Sequence, residues 1–131
     1  MISTKELRTI SRKRLRDAQV LLRAKRFDGA WYLCGYAIEL ALKARICRTL
    51  RWPGFPESGK DFEGLQSLKT HNLEILLRFS GIADRVRTNR MAEWSKVLDW
   101  SPEKRYQANR LSTGQRAVDM VQCVERLLEV L

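Results

Sequence analysis

The chain has 131 residues, 44% apolar and 8% aromatic, with 25 Lys plus Arg against 15 Asp plus Glu and a formal net charge of +10. That length and apolar content exclude a disordered basic tail and predict one folded domain over residues 1–131. The charge selects no reaction, but it suits an anionic partner: nucleic acid, an anionic surface or an acidic protein.

Ser3-Thr4-Lys5-Glu6 has the capping-box pattern and predicts the start of a first helix. Leu7, Ile10, Leu15, Ala18, Leu21 and Leu22 recur on one side of it. Lys5, Arg8, Arg12, Arg16, Arg23 and Arg26 gather on another, largely opposed side. Residues 1–26 hold nine basic and two acidic side chains, so +7 of the net charge lies there. A second helix is predicted from about Asp28, read as its N-cap, to about Arg48. Its first half, Ala30 to Leu42, carries apolar or small residues on every side, which predicts burial all round. Trp52-Pro53-Gly54-Phe55-Pro56 ends it, and residues 51 to about 70 read as a loop. A short third helix is expected around Asn72 to Phe79, stopped by Gly81. A fourth is expected from about Asp84 to Leu98, broken by Trp100-Ser101-Pro102-Glu103. Ser112-Thr113-Gly114-Gln115 is a second capping signal. It opens a last helix with Val118, Val121, Val124, Leu128 and Leu131 on one face. No stretch alternates cleanly at period two. The fold class is therefore all-α, a bundle of four to five helices.

Cys34, Cys47 and Cys123 form no Cys-x-x-Cys pair, and with one histidine they give no metal-ligand spacing. Neither a metal nor another cofactor is expected. Cys34 and Cys47 share the second helix at roughly 20 Å, beyond disulfide reach. They read as small buried hydrophobes in a reducing compartment. The opening segment is basic without an apolar core, and Gly29 to Leu42 is too short to span a bilayer. A cytoplasmic protein with no membrane role is expected.

The run Arg26-Phe27-Asp28-Gly29-Ala30-Trp31-Tyr32, followed by Ala37-Ile38-Glu39 and Ala41-Leu42-Lys43-Ala44, resembles the HEPN domain (higher eukaryotes and prokaryotes nucleotide-binding). Lys69-Thr70-His71-Asn72-Leu73 looks like that family's turn before its third helix, and Arg105-Tyr106 like its Arg-Tyr pair before the last. The resemblance runs from about Leu7 to the end of the chain. It implies an up-and-down bundle, usually a homodimer, often encoded beside a minimal nucleotidyltransferase. Many such domains are metal-independent ribonucleases of toxin–antitoxin or defence systems. Their signature is Arg, four to six residues, then His. Here the one histidine is His71, and Gly64, Leu65 and Gln66 stand where the Arg would be. The resemblance thus points to a nucleotide- or RNA-binding module without catalytic residues. The alternatives are a ribonuclease using His71 with a nearby Lys or Arg, and a protein-interaction subunit.

Five residues are candidates for nucleotide or RNA binding: Lys43, Lys69, His71, Arg105 and Tyr106. Glu39 and Lys43 stand at i and i+4 in the favourable order. They form a structural ion pair, or Lys43 receives a phosphate. His71 follows Lys69 at a loop-to-helix junction. It orders that junction, or it makes a phosphate-binding corner with Lys69. Arg105 with Tyr106 pins a loop, or holds a phosphate and stacks a base. The basic stripe is a solvated face or a docking surface. Trp31, Trp94 and Trp100 are expected in the core, with Trp52 in the loop less committed.

Overall fold

A computed structural model describes residues 1–108 and 110–131 of the chain. Six α-helices form among these residues, joined by turns, two short 3-10 helices and one minimal strand pair. Strand β1 (Ile2–Ser3) leads into α1 (Thr4–Arg23), and α2 (Phe27–Leu50) leads into β2 (Gly54–Phe55). A first 3-10 helix covers Gln66–Leu68. Next come α3 (Leu73–Phe79), α4 (Ala83–Asn89) and α5 (Met91–Val97). A second 3-10 helix, Pro102–Tyr106, precedes α6 (Gly114–Val130).

The first capping box is present in full. Ser3 Oγ accepts from Glu6 N–H at 3.2 Å, and Ser3 N–H donates to Glu6 Oε2 at 3.0 Å. Helix α2 is the central element, packed against α1, α3, α6 and β2. Its surroundings explain its composition: Ala30, Trp31, Cys34, Ala37, Ile38, Leu42, Ala44, Ile46 and Cys47 are all buried. A helix with neighbours on three sides can spare no polar face. Helix α1 runs antiparallel to it, tied by Ser11 Oγ donating to the Ala37 carbonyl at 2.7 Å. At the open end of this hairpin Ile2 pairs with Phe55 and Ser3 with Gly54, antiparallel. Helix α3 begins at the Asn72 cap, whose Oδ1 accepts from Ile75 N–H. It ends before Gly81, whose φ of +80° and close approach to Thr49 both suit glycine.

Several boundaries differ from the sequence expectation. Asp28 is not the N-cap of α2, because the helix begins at Phe27 and the cap position falls two residues earlier, on Arg26. Its Oδ1 instead accepts the Leu111 and Ser112 N–H groups at 3.0 and 2.8 Å, tying the approach to α6 onto α2. The predicted fourth helix is two helices, α4 and α5, separated at Arg90 (φ −138°, ψ 28°). The break lets α5 turn onto α6 and bury Trp94, whose indole N–H donates to Glu74 at 3.0 Å. The last helix is capped by Thr113, one residue later than the start of the sequence signal. Its buried face centres on Ala117, Met120, Val121, Val124 and Leu127. Val118 and Leu128 lie at the edge of that face. The strand pair is two residues long on each side, too short to leave a period-two pattern.

Trp31, Trp94 and Trp100 are core residues, and Trp52 packs against the core from the loop. The three cysteines are free and buried. Burial pushes the Cys34 thiol up to about 12, with the Glu125 charge adding to it. Among the described residues no helix is long and apolar enough to cross a membrane, and no cluster of His, Cys, Asp and Glu could hold a metal.

Candidate functional site

Glu39 is a carboxylate 2% exposed inside the apolar wall of α2. A buried charge needs donors. Two converge on its Oε1: Lys43 Nζ at 2.7 Å, one turn along the helix, and His71 Nδ1 at 2.7 Å, from the loop before α3. Glu39 Oε2 is buried with no protein hydrogen-bond partner among the described residues. The Lys43 side chain is 16% exposed and also lies over the Phe55 ring, 5.3 Å from its centroid. The His71 side chain is 58% exposed. The three residues form a node whose acid is internal and whose imidazole reaches solvent.

The loop fixes His71 from both sides. Thr70 Oγ1 accepts from Asn72 N–H at 3.0 Å, and the Asn72 cap begins α3 directly afterwards. A carboxylate only accepts, so Nδ1 carries the hydrogen that binds Glu39. Nε2 has no protein hydrogen-bond partner among the described residues.

His71, Lys69 and Thr70 line two clefts. One, of about 700 Å³, runs between the start of α3 and residues 98–104, with Trp100 and Pro102 on its wall. It carries Glu74, Asp99 and Glu103 against Lys69 and Lys104, so its charge is mixed. The other, of about 550 Å³, has Leu40, Phe55 and Leu68 as an apolar lining. Lys43, Lys69 and His71 edge it, with Glu57 its one carboxylate. Both volumes suit a small ligand.

Of the five candidates, Lys43, Lys69 and His71 come together here. Arg105 and Tyr106 do not line either cleft. Arg105 donates to the Pro102 carbonyl at 3.0 Å and to the Tyr106 hydroxyl at 2.9 Å, and its guanidinium lies 4.5 Å from the Tyr106 ring centre. The Tyr106 and Tyr32 hydroxyls hold Arg105 above the usual guanidinium value. Tyr106 is 75% exposed. The pair fastens its own 3-10 helix and leaves an aromatic face in solvent. Beneath it, Tyr32 and Tyr36 share a hydroxyl contact of 3.0 Å, and Tyr32 donates to the Pro102 carbonyl at 3.2 Å. Burial, then the Tyr32 contact and nearby charge, push the Tyr36 phenol up to about 12.

Sequence reasoning paired Glu39 with Lys43 but did not join either to His71. It also missed Glu74, Asp99, Glu103 and Lys104 on the wall of the larger cleft. The break at Trp100-Ser101-Pro102 was the available sign that a loop lies there.

The fold and node define a class: an all-α bundle with a charged cluster on its central helix. The family model described as HEPN domain matches residues 4–54, which are α1, α2 and the first residues beyond them. The resemblance is thereby shown over the helix that carries Glu39 and Lys43. No curated protein and no solved structure matches the chain.

Proposed function

We propose that this chain is a nucleotide- or RNA-binding helical module, non-catalytic and homodimeric, that pairs with a minimal nucleotidyltransferase in a toxin–antitoxin or defence-type system. At family level the HEPN match supports a nucleotide- or RNA-related function. The observation that carries the reading is the Glu39–Lys43–His71 node beside Lys69 on an apolar cleft. Lys69 and the imidazole would hold a phosphate, and Leu40, Phe55 and Leu68 would take the base. Arg105 and Tyr106, outside the clefts, would add a phosphate contact and a stacking face for a longer RNA.

Calorimetric titration with adenosine triphosphate and with a short RNA tests it. His71→Ala and Lys69→Ala should each weaken binding roughly tenfold, the effect of removing one hydrogen-bonding group from the phosphate. The melting temperature should hardly change in Lys69→Ala, whose side chain is exposed, and should fall in His71→Ala, which takes a donor from the buried Glu39 carboxylate. Wild-type affinity in both variants overturns the reading. If no RNA binds even at low salt, the protein-interaction subunit replaces it. Light scattering on a sizing column checks the dimer, and co-expression with the neighbouring gene product checks the partner.

One observation favours a second reading. A carboxylate on Nδ1 orients an imidazole so that Nε2 can act as a base, the arrangement of a general-base histidine. In a ribonuclease, Nε2 would take the proton of a ribose 2′-OH. The 2′ oxygen would attack phosphorus, and the 5′ oxygen would leave and take a proton from water. Lys69 would offset the charge of the phosphorane. RNA incubated with the protein in EDTA decides between them: cleavage lost in His71→Ala favours the enzyme, and intact RNA at high protein concentration removes it.

A further inference from the structure

The stripe of basic residues on α1 does not stand alone. Helix α1 is antiparallel to α2, and the β1–β2 pair brings the start of one to the end of the other. Arg8 and Arg12 therefore sit at the end of the hairpin that carries Arg45 and Arg48. Thr49 Oγ1 donates to the Ser80 carbonyl at 2.6 Å, and Gly81 approaches Thr49, so the turn into α4 lies there as well. That turn delivers Arg85. Burial lowers Arg45 below the usual guanidinium value, and the charges of Arg48, Arg85 and Arg8 act in the same direction. Burial, then Arg48 and Arg12, does the same to Arg8. Arg45 thus lies near Arg48, Arg85 and Arg8, and Arg8 near Arg48 and Arg12, so five guanidiniums from three helices share this end of the fold.

No acidic side chain relieves them. Among the described residues none of the five has an Asp or Glu side chain within ion-pair distance, although Arg14, Arg87, Arg90, Arg116 and Arg126 each have one. The group's polar contact to the rest of the fold is Arg8 Nη2 donating to the Leu131 carbonyl at 3.3 Å. None of the five lines the clefts at His71. Arg45 stands two residues after Lys43, about 200° around α2, so it faces away from that node.

We propose that Arg8, Arg12, Arg45, Arg48 and Arg85 form a second site, a face that binds single-stranded RNA through its phosphodiester backbone. Uncompensated like charges oppose folding and are relieved by an occupant that brings several negative charges. A polynucleotide brings one on every residue, and guanidiniums take phosphate in two-pronged fashion. Backbone contacts of this kind need no pocket and carry no sequence preference. The proposal does not depend on nucleotide binding at His71.

The test is fluorescence anisotropy of a labelled oligouridylate, titrated at several salt concentrations. Arg12 and Arg48 are exposed, so Arg12→Ala/Arg48→Ala should keep the fold, which a thermal melt confirms. The double variant should bind roughly tenfold more weakly, with a salt slope shallower by about 1.4, that is about 0.7 for each phosphate of a single strand that is no longer neutralised. Adenosine triphosphate titrated into the same variant should bind as to the wild type, which separates this face from the His71 cleft. A charge-reversed pair, Arg12→Glu/Arg48→Glu, should weaken RNA binding further than the alanine pair does. Unchanged affinity and slope in a folded double variant overturn the proposal. So does displacement of the RNA by polyglutamate at equal charge concentration, which assigns the face to an acidic protein.

Discussion

The indole of Trp100 occupies the space that a side chain at Gly35 would need. A Cβ built on Gly35 falls 2.0 Å from the Trp100 ring carbons, and the Trp100 N–H donates to the Tyr32 carbonyl at 2.7 Å. Helix α2 thus carries a notch, and the segment forming the wall of the larger cleft hangs from it.

Gly35→Ala should therefore destabilise the protein by about 3 kcal/mol, the cost of overpacking a closed core, despite the better helix propensity of alanine. Urea unfolding followed by tryptophan fluorescence checks this. A neutral or stabilising result means that Trp100 does not sit in the notch.

Lys43→Ala should cost about 3 kcal/mol, because it leaves the buried Glu39 carboxylate with His71 as its one donor. Replacing the pair together, as Glu39→Gln/Lys43→Met, should recover much of that stability, since the stranded charge goes too. A double-mutant cycle on unfolding free energies measures the recovery. Additive effects would show that the two side chains are not coupled.

Asp28→Ala should cost about 2 kcal/mol, by stranding the Leu111 and Ser112 N–H groups. Amide hydrogen exchange should accelerate at those two positions, while the centre of α2 keeps its protection. Unchanged exchange there would exclude the contact.

Asp61 supplies a pH dependence. Its carboxylate accepts the Glu57 and Ser58 N–H groups, which hold it down to about 2 from an ordinary 3.8. A depressed folded value stabilises the turn at 57–61 above the unfolded value and loses that contribution as pH falls from about 4 to about 2. Amide shifts of Glu57 and Ser58 should follow this titration. Asp61→Asn should flatten it. Shifts that stay constant over that window would contradict the contact.

Local patterns in the sequence identified much of the fold. The capping box at Ser3, the all-round apolar run of α2 and the Asn72–Gly81 bounds of α3 are each set within a few neighbouring residues. The Arg90 break was not legible, because residues 84–98 are helix-compatible throughout and only packing of Trp94 decides the turn. The site was half legible. Glu39 and Lys43 are one turn apart and announce themselves. The Glu39–His71 contact spans 32 positions and exists only once α3 has docked on α2. The arginine face draws on three helices for the same reason, and the stripe on α1 showed a part of it.

His71 is the one histidine in the chain, and its ring is tethered at Nδ1 while remaining open to solvent. In a proton NMR spectrum its Cε1–H would thus be a resonance with no companion of its kind. Any molecule entering either cleft must change the magnetic surroundings of that nucleus. The protein thereby carries its own label at the junction of two cavities, and occupancy can be followed without attaching a probe.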